Sequence, residues 1–122
     1  MDAPERGRAA EDKAAHFLSE RGVRILGRNL RSGSGEIDIL ARDGLALVVV
    51  EVRLRAPHAA AAWRSVNAKK REALFRCLRD VARKMGLRTG CPLRMDLLLI
   101  DGRGSIRWIR SAFPPPAPWL IR

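Results

Sequence analysis

The chain has 122 residues, 47% of them hydrophobic, which suits one ordinary domain with a single core. Its 24 Lys and Arg outweigh 13 Asp and Glu to give a formal charge of +11, so a polyanion is the natural partner. The basic residues run along the whole chain, which favours nucleic acid over a membrane surface. The absence of an apolar run near 20 residues and of an apolar region in MDAPERGRAAEDKAAHF leads us to expect a cytoplasmic protein with no membrane span and no signal peptide.

Residues 5 to 21 read as a helix, because Ala10, Ala14, Phe17 and Leu18 recur at helical spacing and Gly22 stands where a left-handed cap is wanted. A short strand is expected near Val23 to Leu30, followed by Ser32-Gly33-Ser34-Gly35 as a flexible connector. Two runs rich in β-branched residues, 36 to 42 and 45 to 53, flank Asp43-Gly44, a strong hairpin signal. Ala56 to Ala60 reads as a loop. Asn67 then caps a helix of about 18 residues in which Leu74, Cys77, Leu78, Val81 and Met85 follow a 3.6 period and Gly86 ends the run. Lys69, Arg76, Arg79 and Arg83 make its outer face, with Lys70 and Arg71 in the first turn. Residues 94 to 100 read as a buried strand, Asp101-Gly102 as a turn and 105 to 110 as a further strand. The order α-β-β-β-α-β-β describes an α/β or α+β domain over residues 1 to 113, with a mixed sheet flanked by helices. Residues 114 to 122, PPPAPWLIR, read as an extended Pro-rich tail.

Three carboxylates, Glu36, Asp38 and Glu51, interrupt the apolar hairpin strands, where an unpaired buried charge costs several kcal/mol. With Asp43-Gly44 as a two-residue turn, Arg42 pairs with Leu45, Asp38 with Val49 and Glu36 with Glu51. One face then carries Ile37, Ile39, Ala41, Ala46, Val48, Val50 and Val52. The other carries Leu40, Leu47 and Val49 near the turn and Glu36, Asp38, Glu51 and Arg53 toward the open end. Asp38 and Glu51, diagonal neighbours, are close enough to share one cation, and hard oxygen donors suit Mg2+ or Mn2+. A three-residue turn with a bulge would instead split the acids between faces, and acids paired with arginines on a solvated face would need no metal.

Cys77 and Cys91 lack a CxxC spacing and read as core fillers, and His16 and His58 are isolated. Trp63 and Trp108 read as packing residues, and Arg94 with Asp96 as an ion pair.

Asp38 followed by Glu51-Val52-Arg53 resembles the PD-(D/E)XK nuclease superfamily. The stretch from Gly7 to Arg55, with "SVNAKKREAL", "RMDLLLI" and "IRSAF", is similar to the YraN family, related in fold to archaeal Holliday-junction resolvases. The likeness spans residues 5 to 113. It implies a restriction-endonuclease-like fold, a Mg2+- or Mn2+-dependent cut in branched or structured DNA, and a homodimer by analogy with resolvases. Asp38 and Glu51 would be metal ligands, Glu11 the first-helix acid at the same metal, and Glu36 an outer acid or an added ligand. Residues around Lys70 and the rim from Ser32 to Gly35 would face phosphates.

Position 53 departs from the pattern. Arg53 keeps the charge of the motif lysine, but its guanidinium stays protonated, so it can stabilise a transition state and cannot act as a base. Lys69 or Lys70 is the candidate substitute lysine, set against a plain solvated helix face. Two readings follow: a metal-dependent nuclease, and a lapsed nuclease module that binds nucleic acid without cutting it. A third is an interaction protein that docks through the Pro-rich tail.

Overall fold

A computed structural model describes residues 3–54, 64, 66–87 and 90–113. The expected loop at Ala56 to Ala60, Trp63, His58 and the tail 114–122 lie outside them. The elements are α1 (Ala3–Glu20), β1 (Arg24–Ser32), β2 (Gly35–Asp43), β3 (Ala46–Leu54), α2 (Ala68–Met85), β4 (Leu93–Ile100) and β5 (Ile106–Phe113). The expected α-β-β-β-α-β-β order of a mixed α+β fold holds. The strands form one sheet in the order β1-β2-β3-β4-β5, antiparallel except where β3 and β4 run parallel. That parallel pair requires a crossover, and α2 lies within it.

Each sheet face is covered by one helix. Ala10, Ala14 and Leu18 of α1 pack on Ile39, Ala41, Val48, Val50 and Leu98. Leu74, Phe75, Cys77, Leu78, Val81 and Ala82 of α2 pack on Leu40, Leu47, Val49, Met95 and Leu97. Met85, expected on this apolar stripe, is instead exposed in the last turn. The helix ends follow local chemistry: Asn67 Oδ1 accepts the Lys70 N–H at 2.9 Å, and Gly86 adopts φ 65°.

Three sequence expectations need correction. Ser32 to Gly35 is a tight turn rather than a flexible connector, with Ser32 paired to Gly35. The second hairpin turns on Gly44-Leu45, not Asp43-Gly44, so Asp43 pairs with Ala46 and Leu40 with Val49. Gly44, at φ 59°, supplies the positive dihedral a two-residue loop needs at its first position, while Asp43 stays in the strand and accepts from Arg94 Nη2 at 2.8 Å. The register therefore differs by two from the expected one. Side chains keep their faces, but Glu36 is not opposite Glu51, and Asp38 is not opposite Val49. Ile37 also departs, joining the core under α2 rather than the one under α1. No helix among the described residues is long and apolar enough to cross a membrane.

Candidate active site

The β2–β3 ladder is regular as far as Ile39 and Val50. Beyond that pair the Asp38 carboxylate takes the Val52 N–H at 3.0 Å. Asp38 and Glu51 lie on the α2 side of the sheet, beside Ala73 and Leu74 of that helix. The same face opens into a cleft of about 270 Å³ lined by Gly35, Glu36, Asp38, Glu51 and Arg53 from the sheet and by Lys70, Ala73 and Leu74 from α2. Four of the five catalytic candidates, Glu36, Asp38, Glu51 and Arg53, all on the hairpin, thus line one cavity.

Glu51 is only 3% exposed. Burial, with the Asp38 charge adding to it, pushes its carboxyl up to about 7, against the opposing pull of Arg53 and Lys70. Arg53 Nη1 donates to Glu51 Oε2 at 3.0 Å and to the Val52 carbonyl at 3.2 Å, which leaves Glu51 Oε1 buried without a partner. Burial likewise raises Asp38, opposed by the Val52 N–H and the Arg53 charge. Glu36 sits at the rim, half-exposed, with Arg31 Nε 3.5 Å away.

Glu11 approaches from α1. Burial raises its carboxyl, the Asp38 and Glu36 charges add to the rise, and a side-chain bond from Asn29 opposes it. Its Oε2 is buried with no partner. The first-helix acid therefore feels the sheet acids, but among the described residues no three His, Cys, Asp or Glu side chains are grouped to hold a metal ion. The three-carboxylate ligand set implied by the resemblance is not assembled. What does fit a divalent cation is the Asp38–Glu51 pair, with hard oxygens, raised proton affinity and an orphaned Oε1; Mg2+ typically takes only one or two carboxylates.

The basic candidates divide. Lys70 lines the cleft, and its charge acts on both Asp38 and Glu51. Lys69, Arg76 and Arg83 are exposed along α2, whereas Arg79 is half-buried. Arg71 is turned inward: its Nη1 donates to the Val66 carbonyl at 2.9 Å, and its guanidinium lies 5.0 Å from the Phe113 ring centroid. Its role is to brace the helix start, a correction to its place among the solvent-facing cations.

Sequence reasoning missed Asn29, whose partner lies on α1, and Asp43, whose partner lies 51 residues along the chain. Cys77 and Cys91 are free thiols, and Cys77 is buried in the core as expected. Trp108 packs edge-on against Phe17 with ring centroids 6.2 Å apart. His16 pairs with Glu20 on exposed α1 surface, away from any ligand set.

Residues 10–100 match the family model described as uncharacterised protein family UPF0102. The chain belongs to the UPF0102 family, which is the YraN family of the resemblance. Among its relatives, the UPF0102 protein of Dechloromonas aromatica is 41% identical over 109 residues, covering 88% of each chain. That of Bordetella petrii is 41% identical over 112 residues, covering 88% of this chain and 68% of its own. A UPF0102 protein of Legionella pneumophila is 32% identical over 111 residues, covering 89% of this chain and 94% of its own. Among solved structures, Pyrococcus furiosus SfsA in complex with Ca2+ is similar at a TM-score of 0.35 and 17% identity. That likeness covers 89% of this chain and 64% of that one, so this UPF0102 chain spans slightly less than two thirds of the SfsA length.

Proposed function

We propose that the protein is a metal-dependent nuclease that hydrolyses phosphodiesters of DNA, with branched or structured DNA as the substrate class suggested by the family resemblance. The observation that carries the reading is the pair of half-buried Asp38 and buried Glu51, which keeps one carboxylate oxygen without a partner inside a protein of charge +11. Two adjacent acids forced into one cleft are costly unless a cation joins them.

Asp38 and Glu51 would hold Mg2+ or Mn2+, which supplies Lewis acidity and neutralises charge at a bound phosphate. Arg53 holds the Glu51 carboxylate through Oε2, so that Oε1 would be left for the cation. Lys70, at the cleft wall, offsets phosphate charge and is the better placed of the two candidate substitutes for the motif lysine. Lys69, Arg76 and Arg83 hold the backbone without reading bases, so binding weakens steeply with salt. A homodimer would let two such clefts cut two strands symmetrically.

A second reading has one observation in its favour: Arg53 is already bonded to Glu51 and cannot take a proton from water. On that reading the cleft binds nucleic acid without cutting it. The test is cleavage of labelled four-way-junction, flap and linear DNA in Mn2+ or Mg2+ by the native chain and Asp38→Asn. Cutting lost in Asp38→Asn and in chelator supports the nuclease. Binding without cutting, converted to cutting by Arg53→Lys, supports the lapsed module. Failure to bind any of these DNAs sinks both.

A further inference from the structure

We propose that the β5 edge of the sheet is a second DNA-contact surface, at which Arg107, Arg110 and Arg21 hold the phosphate backbone of the DNA bound in the cleft. The inference rests on the nuclease reading for its ligand and adds to it a surface outside the cleft and outside α2.

The register places that edge beside the site. Glu51, Leu97 and Ile109 pair in one row across β3, β4 and β5, and Arg53, Leu99 and Arg107 pair in another. Directly paired residues share a face, and Leu97, Leu99 and Ile109 belong to the core under α2, so Arg107 stands on the cleft face. It is exposed, two strand spacings from β3, or about 10 Å. Within the described sheet β5 is an outer strand, so a ligand leaving the cleft can run along it.

The row between those two, Val52, Leu98 and Trp108, faces α1. Trp108 is fixed there on three sides. Its Nε1 donates to Asp96 Oδ2 at 2.9 Å, its ring meets Phe17 edge-on with centroids 6.2 Å apart, and the Arg110 guanidinium lies 3.9 Å from its centroid. Phe17 carries a second cation. The Arg21 guanidinium lies 3.5 Å from that ring centroid, and its Nη1 donates to the Phe17 carbonyl at 2.9 Å. The two half-buried rings thus hold two arginines that are exposed to solvent. Stacking restrains side chains that would otherwise lose rotamer freedom on binding, and a planar guanidinium held in this way matches a phosphate.

Charge decides the occupant. β5 reads IRWIRSAF, with two arginines and no acid, and Arg103 in the turn before it is also exposed. Asp101, the acid of that turn, is taken up by the Arg103 and Ser105 N–H groups. Charges on an outer strand also guard against edge-to-edge pairing, but that purpose requires neither a single sign nor guanidinium groups laid on rings. Positive charge on both faces of an edge that lies beside the cleft fits a polyanion already bound in the cleft.

The test uses the full chain in chelator, so that binding is read without cutting. Fluorescence anisotropy on labelled linear-duplex and four-way-junction DNA over a salt series compares Arg107→Gln, the double variant Arg110→Gln with Arg21→Gln, and Lys70→Ala of the cleft. We expect the slope of log K against log salt to fall by about 0.9 in Arg107→Gln and by about twice that in the double variant, in each case adding to the loss from Lys70→Ala. Arg110→Lys with Arg21→Lys should keep the slope and bind more weakly, because lysine keeps the charge without the planar fork. Urea unfolding of each chain checks the fold, and Arg107→Gln, which lies outside the stack, decides the matter if removal of the stacked cations unfolds the protein. A native slope in Arg107→Gln and in every folded variant of the stack, beside a lowered slope in Lys70→Ala, overturns the β5 surface and leaves the cleft standing. A native chain that binds neither DNA overturns both this inference and the reading beneath it.

Discussion

Arg53 Nη1 donates to Glu51 Oε2 at 3.0 Å, while Oε1 of the same carboxylate is buried and bonded to nothing. One side chain therefore neutralises half of its neighbour and leaves the other half buried without a donor. A pair designed only for stability would close both oxygens, because a buried acceptor without a donor costs about 1–3 kcal/mol. The arrangement makes sense if the second oxygen is kept for a cation.

The first prediction is a stability profile against pH. Glu51 has a folded-state pKa raised from 4.5 to about 7, so the fold binds its proton more tightly than the unfolded chain does. Its contribution is fully present below pH 4.5, declines as the unfolded carboxyl ionises, and is lost above about 7. The loss is on the order of 3 kcal/mol. Glu51→Gln should therefore stabilise the protein at pH 8 in chelator and change little at pH 4.5. Urea unfolding of both chains across that range measures it; a Gln variant less stable than native at pH 8 would refute the uncompensated charge.

The second prediction concerns metal. Protons and a cation compete for Glu51 and Asp38, both raised by burial. Mn2+ should raise the melting temperature strongly at pH 8 and weakly at pH 5. At a hundred times its Kd a ligand adds about 2.7 kcal/mol, and Asp38→Asn should remove most of that. Thermal melts with and without Mn2+ at the two pH values decide the matter.

Much of the fold could be read from local chemistry. Asn67 and Gly86 delimited α2 because caps are local signals, and the faces of β2 and β3 followed from alternation at every position but Ile37. The turn was misplaced by one residue because Asp43 is held in its strand by Arg94, a partner far along the chain. That error shifted the register by two, which preserved the faces and so preserved the cleft. It did place Glu36 opposite Glu51, a pairing that the observed register does not contain. The sheet acids were legible as charges in apolar runs. The left-handed backbone at Asn29 and the influence of that residue on Glu11 were not, because they depend on where α1 lies across β1.

The third prediction separates two neighbouring cations on α2. Lys70→Ala should cost little stability, being exposed, but should depress cleavage and lower the slope of log K against log salt by about 0.9 for the lost phosphate contact. Arg71→Ala should do the reverse. Losing the Val66 carbonyl bond and the packing on Phe113 costs about 1–2 kcal/mol, with the salt slope unchanged. Fluorescence anisotropy over a salt series, together with urea unfolding, distinguishes them. A reduced slope in Arg71→Ala would mean that its guanidinium turns out to the phosphate.

The fourth prediction concerns the far side of the sheet. Asp96 is 0% exposed and accepts from Arg94 Nε at 2.9 Å, Arg94 Nη2 at 3.0 Å, Trp108 Nε1 at 2.9 Å and the Ser111 N–H at 2.9 Å. One carboxylate thus ties β4 to β5 across the irregularity between Met95 and Leu97, and it holds Ser111 at φ 52°. Asp96→Ala strands four donors, one pair of them charged, so a cost of about 3–5 kcal/mol is expected from urea unfolding. If that cost is the stranded charge, Arg94→Met with Asp96→Leu should be less destabilised than Asp96→Ala alone, a non-additivity that packing loss cannot produce. The surviving variants should also weaken the cleft indirectly. Phe113, paired with Met95 past the same irregularity, lies under Arg71, and Arg71 follows the lysine that lines the site.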